Sequence, residues 1–190
     1  MNMTQEAWAL QNEETQAFIE AAANQPFRYA QFRSMDVANG VGIRVVLFVS
    51  GCRHHCPGCF NELYQNFNYG EIFDEAAERR LLEALDKPQV AGLTLLGGEP
   101  MQNPGLIRVL RKVRETYPMK TIWVYSGYTY EQILEDPARH ALVDLCDVLV
   151  DGLFVEAERD LKLRFRGSRN QRIIDVAASR SAGAVVLYME

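Results

Sequence analysis

The chain has 190 residues, 48% of them hydrophobic, and a formal net charge of −5 from 20 basic and 25 acidic side chains. That length can bury a full core in one domain, and the basic residues are scattered, so no cationic stripe invites a nucleic-acid backbone. No apolar run approaches the roughly 20 residues of a membrane span, and the amino terminus has neither the basic nor the apolar region of a secretion signal, so a cytoplasmic protein with free thiols is expected.

Residues 4–23 carry Ala7, Trp8, Leu10, Phe18 and Ile19 among acidic and amide side chains, the pattern of an amphipathic helix, and Pro26 ends it. The expected division is an amino-terminal helical extension, residues 1–30, on a main domain, residues 31–190. A short segment with Tyr29, Phe32, Met35 and Val37 leads to N-G-V-G at 39–42, which turns into a β-branched strand at 43–49. A cysteine-rich loop follows that strand directly. The next helix runs from about 73 to 85, with Ala76, Leu81, Leu82 and Leu85 inward, and Pro88 stops it. A short strand at 93–96 ends in G-G-E-P. A helix at 104–116 places Leu106, Ile107, Leu110 and Val113 at helical spacing, and a third strand at 121–125 is closed by S-G-Y. Helical stretches at 130–134 and 138–145 lead to a fourth strand, 147–150, closed by Asp151 and Gly152.

Strand, turn, helix and strand again is the rhythm of βαβ units, whose crossovers impose a parallel sheet, so the expected fold is α/β. The cysteine loop, G-G-E-P, Y-S-G-Y and D-G all fall at carboxyl ends of strands. In parallel sheets and barrels that edge binds ligands.

Cys52, Cys56 and Cys59 form a C-x3-C-x2-C cluster that offers three thiolates to one centre. A four-iron cubane needs a ligand at each iron, so three cysteines leave one iron open for a small molecule. Zinc is an alternative occupant, with His54 or His55 as fourth ligand, although both histidines read as loop surface because the short loop must already turn between its cysteines. Four cysteines are too few and too clustered for a disulfide framework. Cys146, in the apolar run L-C-D-V-L-V, reads as a core thiol; as a fourth cluster ligand it would close the site and leave an electron carrier. Gly97 and Gly98 read as a tight strand-to-helix turn or as a place where a ligand approaches the backbone.

With G-G-E-P one βα unit downstream, the cysteine loop resembles the signature of radical S-adenosylmethionine enzymes. The resemblance implies a partial, incomplete βα barrel and a [4Fe–4S] cluster on Cys52, Cys56 and Cys59. It further implies S-adenosylmethionine chelating the open iron, its amino group held at Gly97, Gly98 and Glu99. An aromatic residue precedes the last cysteine in most of that superfamily, but here the place is Gly58. C-P-G-C-F-N is similar instead to the activating enzymes of anaerobic ribonucleotide reductases. The similarity continues through N-G-x-G-x-R at 39–44, L-F-V-S-G-C at 47–52, W-V-Y-S-G-Y at 123–128, D-V-L-V-D-G-x-F at 147–154 and R-G-S-x-N-Q at 166–171. For such an enzyme the resemblance implies reductive cleavage of the cofactor to a 5′-deoxyadenosyl radical, an electron from flavodoxin or ferredoxin, and a glycyl radical left on the reductase. It places Gly58 and Phe60 beside the cofactor, Tyr125 and Tyr128 against adenine or the partner's loop, and Asp151 in a polar contact. Related activases read D-x-K where this chain has Leu153, so Arg44 or Arg166 is expected to meet the cofactor carboxylate. Another glycyl-radical partner, or an enzyme of deazapurine synthesis, is the alternative of the same chemistry.

Overall fold

An apolar run with no polar alternation must be covered on both faces, and β2 (Ile43–Val49) is, with every residue after Ile43 buried. The computed structural model describes residues 12–189, so the part of the amino-terminal helix expected at 4–11 lies outside the described residues. Around β2 lie α1 (Glu13–Ala23), β1 (Arg28–Asp36), β3 (Glu71–Ile72), α2 (Glu75–Leu85), β4 (Val90–Gly97), α3 (Leu106–Thr116) and β5 (Thr121–Tyr125). They are followed by α4 (Tyr130–Leu134), α5 (Pro137–Val143), β6 (Val148–Asp151), β7 (Arg172–Asp175), α6 (Val176–Ala182) and β8 (Leu187–Met189). Side-chain oxygens of Asp74, Thr129, Asp136 and Asp175 cap α2, α4, α5 and α6, fixing where each helix leaves its turn.

One sheet runs in the order β3-β1-β2-β4-β5-β6-β7-β8. Its centre, β2, β4, β5 and β6, is parallel as expected, but β1 and β3 on one flank and β7 and β8 on the other pair antiparallel, so the sheet is mixed. These flanking strands escaped the βαβ reading because antiparallel neighbours need no helical crossover. Strand β1 also carries polar, exposed positions that mask its alternation.

The helices cover one face of the sheet. There Val45, Leu47, Val49, Leu93, Leu95, Ile122, Val124 and Leu149 join Ile19, Leu81, Ile107 and Leu110 in the main core. Ile19, Ala22 and Ala23 of α1 belong to this same core, as do Phe27 and Tyr29, and β1 begins before residue 30. Removal of residues 1–24 therefore exposes core side chains, and the expected result is insoluble protein; a soluble, cluster-loaded product that fails only in activation would assign the helix to docking.

The other face holds a smaller cluster, Trp123, Val148, Val150 and Ile173, with Phe165 set edge-on to Trp123 at 5.5 Å. Arg44 enters this face at the amino end of β2 and is fully buried. All five of its N–H groups are spent, on Thr94 Oγ1 (2.6 Å), Val41 O (3.2 Å), Thr121 Oγ1 (3.0 Å), Leu93 O (2.6 Å) and Thr121 O (2.9 Å). Burial lowers its pKa to about 10, which still leaves it charged at neutral pH. Its expected contact with a cofactor carboxylate is thus corrected: Arg44 braces three strands at the edge opposite the cysteines. Arg44→Ala is expected to lose about 3–5 kcal/mol in denaturant unfolding, from lost bonds and the void together.

Candidate metal centre

Because β2 and β4 are parallel and register Val49 beside Gly97, the cysteine loop and G-G-E-P leave the same sheet edge side by side. Gly51 turns the chain at φ +96°, and Phe67 lies where its β-carbon would stand. Gly51 N–H and Cys52 N–H then donate to Tyr64 O (2.7 Å) and Gln65 O (3.0 Å), closing the loop upon a 3-10 turn at Glu62–Gln65. Within it Cys59 N–H donates to Cys56 O at 3.2 Å.

Cys52, Cys56 and Cys59 are each partly exposed and line one cavity of about 590 Å³, within the range that holds cofactors. Backbone N–H groups of His54 and Asn61 point at the Cys52 and Cys59 sulfurs, at 3.5 and 3.4 Å, the arrangement that stabilises thiolate and tunes an iron–sulfur centre. Among the described residues no three His, Cys, Asp or Glu side chains could hold a single metal ion, whereas a cubane spaces its thiolates more widely. One ring nitrogen of each neighbouring histidine is engaged, His54 Nε2 with Glu99 at 3.0 Å and His55 Nδ1 with Gln65 at 2.9 Å. Cys146 is buried in the main core before the amino end of β6, the edge opposite the cysteine loop, with its thiol turned to Leu142 O. It cannot close the site.

Burial pushes the Cys52 thiol up to about 11 and raises that of Cys56. Iron binds thiolate, so cluster assembly must release these protons and is expected to accelerate between roughly pH 7 and pH 9, read from sulfide-to-iron charge transfer. The cluster-free protein runs the other way: a thiol raised to about 11 from 9.0 favours the fold while protonated, a contribution fully present below pH 9.0 and lost as pH climbs towards about 11.

Gly97 has φ +113°, and a β-carbon there would meet Val49 O at 2.7 Å; one on Gly98 would meet Gly51 O at 2.5 Å. Both glycines line the cavity and are also dictated by contact with the neighbouring loop. Glu99 is 1% exposed. Its carboxylate accepts from Met101 N–H (2.9 Å), Gly127 N–H (2.7 Å) and His54 Nε2 (3.0 Å), so both oxygens are bound to protein.

Gly58 has φ +69°, a backbone conformation that side chains rarely adopt, and the flexible Glu156 carboxylate lies over it. The segment that supplies Glu156, residues 153–171, packs over the loop: Phe60 meets Phe154 at 5.0 Å and lies under Arg159. Tyr125 reaches the cavity from the end of β5, its hydroxyl buried without a partner and held neutral by that burial. A buried orphan donor in a cavity wall fits a ligand acceptor. Arg166 also lines the cavity.

Asp151 is not brought to this cavity. Its carboxylate accepts from Tyr130 N–H at 2.7 Å and from Arg172 at both oxygens, and Arg172 bridges onward to Glu131. Sequence reasoning missed the wall built by 153–171 and its clamp, in which Gln171 Oε1 accepts from Gly167 N–H (2.8 Å) while its amide donates to Gly152 O (2.9 Å). The R-G-S-x-N-Q motif was the available signal.

Three thiols at the carboxyl edge of an α/β sheet, with no fourth beside them, place the molecule among single-cluster iron–sulfur proteins, and the family model described as 4Fe-4S single cluster domain matches residues 38–174. A protein of Escherichia coli (strain K12) is 40% identical over 148 residues, 75% of this chain and 95% of its own length. One from Haemophilus influenzae is 38% identical over 150 residues (76% and 96%), and one from Enterobacteria phage T4 is 37% identical over 148 (76% and 92%). All three are named anaerobic ribonucleoside-triphosphate reductase-activating protein. The chain belongs to that family.

Proposed function

We propose that this protein is a glycyl-radical activase for an anaerobic ribonucleotide reductase. The observation that carries the reading is three thiols, without a fourth, lining one ligand-sized cavity in a chain 40% identical to proteins named for that task. Cys52, Cys56 and Cys59 would hold a [4Fe–4S] cluster, and Gly97, Gly98, Phe60 and Tyr125 would line the place of S-adenosylmethionine, a cavity whose wall does not include Gly58. When bound, the pair supplies a one-electron reductive cleavage of the sulfonium, giving the radical that takes hydrogen from a glycine α-carbon of the partner.

The chain's own residues supply position and shielding. The glycine shelf presents backbone groups at close range, and Arg166, in the cavity wall, would be available to a cofactor carboxylate now that Arg44 is committed. Residues 153–171 would restrict water over the cysteines, and the unpartnered Tyr125 hydroxyl would be free to donate to an acceptor inside. On this reading the mixed sheet is an incomplete βα barrel whose open side admits a protein loop, the described part of the amino-terminal extension, residues 12–30, packs on its core, and flavodoxin or ferredoxin delivers the electron in the cytoplasm.

Anaerobic reconstitution, dithionite reduction and chromatographic assay of 5′-deoxyadenosine on adding S-adenosylmethionine test it. Cofactor cleavage is expected. A cluster that only cycles its redox state would leave an electron carrier, and bound zinc a metal-stabilised module.

A further inference from the structure

His54 stands between the first two cysteines and was expected on the loop surface, yet its side chain is only 15% exposed. Its Nε2 lies 3.0 Å from Glu99 Oε2, hydrogen-bond distance to an oxygen that also accepts from Gly127 N–H at 2.7 Å. The ring is set edge-on to Tyr128 at 4.5 Å and packs so closely on Gly127 that a β-carbon there would stand 2.6 Å away. Next to it, Arg53 N–H donates to Gln102 Oε1 (3.0 Å), and the Gln102 amide donates to the Tyr128 hydroxyl (2.9 Å). Residues 53 and 54 are thereby tied to the loop after β4 and to the loop after β5.

This matters because the arm from Cys52 to Cys56 has no regular secondary structure to hold it. His55 within it sits at φ 51°. Rigidity there must come from side chains, and a charge-assisted bond to a nearly buried carboxylate is the strong kind. Glu99 directly follows the glycine shelf, so the His54–Glu99 bond spans the gap between the cysteine arm and the surface on which the cofactor would lie.

We infer that His54 is a positioning residue: acting through Glu99, it fixes the cysteine arm against Gly97 and Gly98 and so sets the open iron at its working distance from the cofactor. The inference rests on the reading that this cavity holds a cluster and S-adenosylmethionine. It assigns His54 a positioning role and leaves ligation to the three cysteines.

The test compares three variants with wild type after anaerobic reconstitution. His54→Gln keeps an amide donor near the place of Nε2. His54→Phe keeps the edge contact with Tyr128 without a donor, and His54→Asn, too short to reach Glu99, replaces it should the phenylalanine variant fail to fold. The measurements are iron and sulfide per chain, the change in the reduced-cluster EPR spectrum on adding S-adenosylmethionine, and 5′-deoxyadenosine formation. Equal cluster content is expected throughout. The variants without a donor should lose the cofactor-induced spectral change and slow cleavage about 100-fold, the scale of a 1 Å misplacement, while His54→Gln stays within about threefold of wild type.

A donor-free variant with the wild-type spectral change and rate overturns the inference, as does His54→Gln failing alongside it. Loss of the cluster itself from a folded His54→Phe or His54→Asn protein also overturns it, in favour of an assembly or ligand role. A wild type that loads its cluster but ignores S-adenosylmethionine overturns the functional reading, and this inference with it.

Discussion

Cys56→Ala protein, reconstituted with iron and sulfide, is expected to hold no stable four-iron cluster and to release 5′-deoxyadenosine more than about 100-fold more slowly than wild type, a loss at least as large as that from removing a metal site's supporting residues. Cys56 faces the shared cavity with Cys52 and Cys59, and the described residues bring no fourth thiol to replace it. Cys146→Ala is the matched control. That thiol is buried among Leu142, Val143 and Leu149 in the helix-covered core, so its removal should cost about 1 kcal/mol of stability and leave cluster and cleavage intact. Iron and sulfide analysis with the cleavage assay decides both. A cluster-free Cys146→Ala protein would return the closed, electron-carrying site to contention.

Gly97→Ala is expected to damage fold and site together. The residue combines φ +113°, which side chains rarely adopt, with backbone atoms of Val49 and Phe48 at 2.7 and 2.8 Å from the added carbon. Backbone cannot swing aside as a flexible side chain does, so β4 must part from β2 at the point where Gly98 N–H donates to Val49 O. We expect a loss of about 2–4 kcal/mol in unfolding, with S-adenosylmethionine binding lost even in the fraction that folds. A variant of unchanged stability that still binds cofactor would show that the shelf is looser than its packing implies.

The centre of the fold was legible because β2, β4, β5 and β6 are short apolar runs separated by amphipathic helices, a pattern governed by local spacing. The flanks were not. Strand β1 breaks its alternation with Arg33 and exposed Ser34 and Met35, and β3 has only two residues, so neither leaves a periodic trace. The cysteine loop was legible as chemistry because three thiols at that spacing have few other uses. Partners distant in sequence were hidden: His54 meets Glu99 across 45 positions, and Glu156 lies over Gly58. Arg44 and Asp151 show the reverse error. Each is a polar residue near an informative turn, yet folding spends Arg44 on five internal acceptors and Asp151 on Arg172 and the start of α4. Type and spacing carry no information about which internal partners folding will bring to a polar side chain.

The central claim is tested most directly by EPR of an anaerobic ribonucleotide reductase incubated with this protein, S-adenosylmethionine and a reductant, without oxygen. The account predicts an organic radical doublet on the reductase, absent with Cys56→Ala, whose splitting collapses when the reductase glycine carries deuterium at its α-carbon. Cofactor cleavage at full rate with no radical on any such reductase would contradict it, and would leave a radical enzyme acting on another substrate.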